Sequence, residues 1–141
     1  MKNGRFWLAV LVTGVVANVI DFALQGYLFQ NLYYSKIVGL FRPMGNPALY
    51  VLADFVAVLV LAWFYEKVSS SFAGGAMGGA MYGLYTGVLI NFPTWIMAHL
   101  TINNFTYHLA WFWTLYGIAW CVIAGAILAA IYKKEAPPSR A

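Results

Sequence analysis

Asp21 and Asp54 are two of the four acidic residues in this 141-residue chain, and both lie inside apolar stretches long enough to cross a bilayer. On insertion scales an Asp at the centre of a membrane helix costs roughly 2.5 to 3.5 kcal/mol, so each marks a candidate functional position. No Lys or Arg lies deep enough in those stretches to neutralise them, although Lys36 or Arg42 could fold back from the first loop. Desolvated carboxylates without a cation are expected to be protonated, one or both, or to share a proton, and proton or cation traffic is the functional reading. The competing reading is structural: polar side chains in lipid also join helices through hydrogen bonds.

Other polar residues fall at matching positions. Asn18, Asp21 and Gln25 are spaced by three and four residues and are expected on one helical face. Tyr50 precedes Asp54 by four residues and shares its face by the same rule. At about 1.5 Å per residue, Asp21 and Asp54 come out about 10 to 12 Å below the external surface, and Asn91 and Tyr116 about 12 to 13 Å below it. The expectation is one polar layer, with Asp21, Asp54, Asn91 and Tyr116 each contributed by a different helix. Asn18 and Gln25 flank it on the first.

The elements that must position this layer are legible in the composition. With 63% hydrophobic and 9% charged residues and a mean hydropathy of +0.75, the chain departs far from soluble domains. One integral membrane domain is expected, all-α, because lipid admits only helices or closed barrels and the alternating strands of a barrel are missing. Apolar runs of about 20 residues place four spans, near Phe6 to Phe29, Pro47 to Tyr65, Gly74 to Leu100 and Leu109 to Tyr132. Six Trp and ten Tyr suit interfacial belts.

With four spans, Lys2, Arg5, Lys67, Lys133, Lys134 and Arg140 fall on one side, and only Lys36 and Arg42 on the other. The positive-inside rule then puts both termini in the cytoplasm of a cell whose inner membrane holds the protein as a multi-pass bundle. The tail KKEAPPSRA, residues 133 to 141, reads as a disordered basic end able to touch anionic lipid. A rival reading makes the first span a cleaved signal peptide, with Val15-Val16-Ala17 as the processing site. The apolar run resumes from Ile20 to Phe29, which suits a retained helix better.

Small residues recur every fourth position at Gly75, Gly79, Gly83 and Gly87 on the third span, and at Gly117, Cys121, Gly125 and Ala129 on the fourth. Such ridges let helix backbones approach closely, within one chain or between subunits or membrane-protein partners. Pro93 removes a backbone donor and is expected to kink the third span. Cys121 stands alone, so no disulfide forms within one chain.

His99 and His108 flank a short external turn and could in principle face one another around a metal or haem iron, but hydrogen bonds to loop carbonyls or water account for such residues more simply. No metal or cofactor is expected. Asn104-Phe105-Thr106 matches a glycosylation acceptor. The net charge of +4 is distributed over the ends of spans, which argues for membrane topology and against a nucleic-acid partner. The catalytic strings of hydrolases, zinc proteases and nucleotide-binding folds are absent, so no catalytic residue is nominated and an enzyme is the third choice.

The stretch from Gly74 to Ile131, with its glycine pairs, Tyr82-Gly83-Leu84-Tyr85-Thr86, Asn91, Trp95 and a Trp/Gly-rich last helix, resembles small bacterial four-helix membrane protein families of the domain-of-unknown-function class. The resemblance implies a polytopic inner-membrane protein and carries no activity. From the sequence the first expectation is a non-enzymatic accessory or assembly subunit with a buried polar layer. The second is a small oligomeric proton- or cation-coupled transporter using Asp21 and Asp54.

Overall fold

The computed structural model describes residues 4 to 37, 39 and 45 to 132. Lys2, Arg42, Lys133, Lys134, Arg140 and the basic tail lie outside the described residues. The described chain is helical, with no strand. Four long helices carry it: α1 (Gly4–Asp21), α2 (Pro47–Val68), α3 (Gly75–Thr101) and α4 (Tyr107–Tyr132). Beyond Asp21, α1 runs on through a π-helical segment, Phe22–Phe29, one helical turn at Gln30–Leu32 and a 3-10 turn at Tyr34–Lys36.

Local chemistry sets the helix ends. Asn46 caps α2 by accepting a hydrogen bond from the Ala48 amide at 3.0 Å, and Pro47 occupies the first turn, where its missing donor costs nothing. Thr106 caps α4 through its hydroxyl, which accepts from the Leu109 amide at 3.3 Å. The tight turn before it holds Asn104 at a φ of 66°, a conformation that Asn tolerates better than most residues. α3 remains unbroken through Pro93 to Thr101, and Thr94 donates to the Ile90 carbonyl at 2.6 Å.

Among the described residues three segments are long and apolar enough to cross a membrane: Gly4–Lys36, Pro47–Ser71 and Tyr107–Tyr132. α3 has the length, 27 residues, but a less apolar composition because of its glycines, Asn91, Pro93 and His99.

α4 is the common partner. It packs along α3 as a close antiparallel hairpin and presents another face to α1, with α2 seated mainly against α1. A Cβ added at Gly79 would collide with the Gly125 carbonyl and Ala129, and one at Gly83 with the Cys121 carbonyl. At Gly87 it would sit 2.9 Å from the Ile118 Cα. Gly125 answers from α4, where a Cβ would strike the Gly79 carbonyl. The ridge therefore serves an interface inside the chain. Gly75 is not part of it: it opens α3 at a φ of 75° with nothing within 4 Å of an added Cβ. The four-residue spacing is right there, but the helix has only just begun.

A third close approach was not anticipated from spacing. Gly14 on α1 is buried beneath the Phe55 ring of α2, which occupies the space of its absent side chain. At the end bearing the N-terminus of α1, Phe6 packs edge-on to Tyr132 at 6.0 Å and Tyr65 to Tyr132 at 6.5 Å. Tyr82 donates to the Leu61 carbonyl at 2.7 Å and ties α3 to α2.

Replacing Gly83 with Ile should lower stability by about 2 kcal/mol or more, because the new side chain must displace backbone on α4. Gly45→Ala, exposed before α2 and meeting nothing within 4 Å, should leave it unchanged. Denaturant titration in detergent compares the two directly.

Candidate functional site: a carboxyl pair beside α4

Asp21 ends the α-helical part of α1, and Asp54 projects from the middle of α2. Both are partly buried, and their side chains lie within hydrogen-bonding reach of one another. The Tyr116 hydroxyl of α4 donates to Asp21 Oδ1. The Trp120 indole lies against the same carboxylate, yet its buried ring N–H has no hydrogen-bond partner of good geometry. Three helices thus converge on Asp21. A carboxylate accepts and a phenol donates, but carboxylate to carboxylate needs a proton or a cation between them.

The Phe55 ring seated on Gly14 draws α2 against α1 one residue from Asp54, and Asp21 lies two turns further along α1. Lys36 is exposed on the 3-10 turn and makes no ion pair among the described residues.

Other residues expected in the polar layer are elsewhere. Asn91 turns to the opposite side of α4: its amide donates to the Gly87 carbonyl at 3.0 Å and contacts Cys121 Sγ at 3.9 Å, while its oxygen accepts from Trp95 Nε1 at 3.3 Å. It fills the space above Gly117, where a Cβ would meet it. Asn18 bonds back to the Gly14 carbonyl at 2.9 Å. Tyr50 is 61% exposed.

Gln25 parts from Asp21 because the helix changes type between them. A π-helix closes hydrogen bonds five residues apart, so each turn takes an extra residue and the side chains beyond Asp21 leave the α register. Gln25 accepts from the Tyr34 hydroxyl, which in turn receives the Trp113 indole N–H at 2.6 Å. This second network sits among Phe29, Phe112, Trp113 and Phe105, near the turn between α3 and α4. Sequence spacing missed it because Tyr34 lies beyond the expected end of the first span. The density of aromatic residues in both segments was its only advance signal.

His99 Nδ1 hydrogen-bonds the Phe105 carbonyl at 2.7 Å, and His108 is exposed. Among the described residues no group of three or more His, Cys, Asp or Glu could hold a metal ion.

Beside the carboxyl pair, Thr13, Ala17, Ile20 and Trp120 help to line a cavity of about 10 Å³ between α1 and α4. The Thr13 hydroxyl is buried without a partner. Thr86, Thr94, Thr101 and Thr114 instead spend theirs on the carbonyl four residues back. Thr13 Oγ1 and Trp120 Nε1, on facing helices, are both buried without a hydrogen-bond partner of good geometry.

No family model, curated protein or solved structure matches the chain. The site must be interpreted from its own chemistry.

A double-mutant cycle separates the two polar groups. Asp21→Asn and Tyr116→Phe should show a coupling energy of at least about 0.5 kcal/mol, whereas Asp21→Asn and Asn91→Ala should add within about 0.5 kcal/mol. Equal coupling in both cycles would mean that Asn91 and Asp21 belong to one network.

Proposed function

We propose that the chain is a small multi-pass membrane protein whose Asp21–Asp54 pair binds and releases a proton or a monovalent cation within the bilayer, as part of a proton- or cation-coupled carrier. One observation carries this reading: two carboxyl groups on adjacent helices face each other, and the described residues around them supply hydrogen-bond donors without a cation. If helix adhesion were the only task, an amide on one side would supply the donor without any titration.

The same proposal takes α3 as a fourth span. Its 27 residues exceed the thickness of a hydrocarbon core, and its glycine face runs along α4, itself apolar enough to cross. Both ends of the chain then share the cytoplasmic side of an inner membrane, in keeping with the basic residues at that end.

A second reading, an accessory or assembly subunit, draws on the outer face of α2. Leu49, Leu52, Val56 and Trp63 are all exposed there, and the glycine ridges are already occupied within the chain, so a protein partner would dock on α2.

Proton flux into proteoliposomes carrying a pH-sensitive dye distinguishes these readings. The carrier should dissipate an imposed pH gradient, alone or together with a monovalent cation gradient. Asp21→Asn and Asp54→Asn should each reduce the rate at least tenfold while the protein stays folded by circular dichroism. A wild-type protein with no flux under either gradient would favour the accessory role.

A further inference from the structure

The two carboxyl groups of the pair are not equivalent. Asp21 faces α4, accepts a hydrogen bond from the Tyr116 hydroxyl at Oδ1, and has the Trp120 indole against the same carboxylate. Asp54, on α2, has Asp21 as its one polar side-chain partner among the described residues. Ionised carboxylates only accept, so a hydrogen bond between the two needs a proton, and the proton belongs on the group with fewer donors of its own. Donors from α4 favour the negative charge on Asp21. Asp54 has no such donor and finds its acceptor in Asp21.

The surroundings also discriminate between a proton and a metal ion. A metal cation that has left its water needs a shell of oxygens, as carbonyl rings or clustered carboxylates supply. The groups that α4 brings to this pair, a phenol and an indole, are donors. The amide oxygens that could have joined it are engaged elsewhere: Gln25 accepts from Tyr34, and Asn91 accepts from Trp95 on the opposite side of α4. Tyr34 is the other titratable group within electrostatic range of Asp21 and Tyr116, and its hydroxyl donates to Gln25. No described Lys, Arg or His bears on either carboxyl group.

We propose that the ligand of the pair is a proton and not a metal cation, that Asp54 takes it up and releases it, and that Tyr116 is a positioning residue keeping Asp21 ionised as the fixed acceptor. The proposal rests on the reading of the pair as a loading site and narrows the ion that it loads. Loading takes a proton from water, forms an O–H bond on Asp54 and a hydrogen bond from it to Asp21. Release breaks both and returns the proton to water.

Asp21 and Asp54 are the only aspartates in the chain and follow different residues, Ile20 and Ala53. Isotope labelling of the aspartate Cγ, combined with selective labelling of the preceding residue, therefore assigns a nuclear magnetic resonance signal to each in the full chain in lipid bilayers. At neutral pH Asp54 should give the signal of a carboxylic acid and Asp21 that of a carboxylate. Exchanging sodium chloride for choline chloride at the same pH should move neither. Tyr116→Phe should draw the two signals together as the proton becomes shared, whereas Tyr50→Phe, an exposed phenol on α2, should leave both in place. The acid signal on Asp21, like signals from both residues in wild type, or a shift with sodium would each overturn the proposal. So would a Tyr116→Phe variant that stays folded by circular dichroism and keeps the signals apart. Should that variant misfold, the wild-type assignments and the sodium comparison decide. Proteoliposome flux judges the carrier reading separately. Flux that requires sodium would keep a carrier and overturn the proton assignment, and absence of flux with the acid on Asp54 would remove the carrier and support the proton's location.

Discussion

The close approach of α3 and α4 is the constraint on which the other contacts depend. At Gly79, Gly83 and Gly125 the two backbones occupy space that a single methyl group would fill. In lipid, where apolar side chains gain nothing by leaving one apolar medium for another, such contact is a principal source of helix attraction. It also fixes the rotation of α4. With the Cys121–Gly125 side against α3, Tyr116, Trp120 and Ala124 face α1.

That rotation partitions the polar side chains. Asn91 and Cys121 meet at the α3–α4 seam. Tyr116 reaches Asp21 on another side of α4. Toward the turn between α3 and α4, Trp113 reaches Tyr34 and through it Gln25. Each group satisfies hydrogen bonds locally, as a low-dielectric surrounding demands. The π segment is what makes the last two compatible: an α-helix through Gln25 would carry it with Asp21, and the extra residue per turn releases it to Tyr34. Irregular turns of this kind occur often at functional sites in helical proteins, here directly after the carboxylate that draws three helices together.

Much of this was legible in the residues. Helix content follows from hydropathy and from the backbone's need for internal hydrogen bonds. The contacts at Gly79, Gly83 and Gly87 follow from four-residue spacing, which keeps small residues on one ridge. Helix ends at Asn46–Pro47 and Thr106 carry their own capping signals. Depth counting brought Asp21, Asp54 and Tyr116 to one level, but depth has no rotation in it, and rotation is what sends Asn91 to the far side of α4. Spacing also assumes one helix type throughout. That assumption fails at Phe22, and with it the shared face of Asp21 and Gln25. Gly14 gave no ladder to read because its partner is an aromatic ring on α2 and not a second glycine.

The Gly14–Phe55 seat bears most directly on what the carboxyl pair can be. Asp54 is the neighbour of Phe55, so a ring filling a glycine notch holds α2 against α1 beside it, independently of the carboxylates. Left to themselves, two ionised carboxylates would separate, whereas here packing holds them within reach of each other. In the proposed carrier, helix packing that does not depend on the carboxylates would keep the scaffold the same in the bound and the empty state. Glue for a helix interface has no need of that property, because it works best when its partners attract in every state. A site that loads and unloads a small cation depends on it, since release is possible only when the empty pair can be kept near its bound geometry by something other than the ligand.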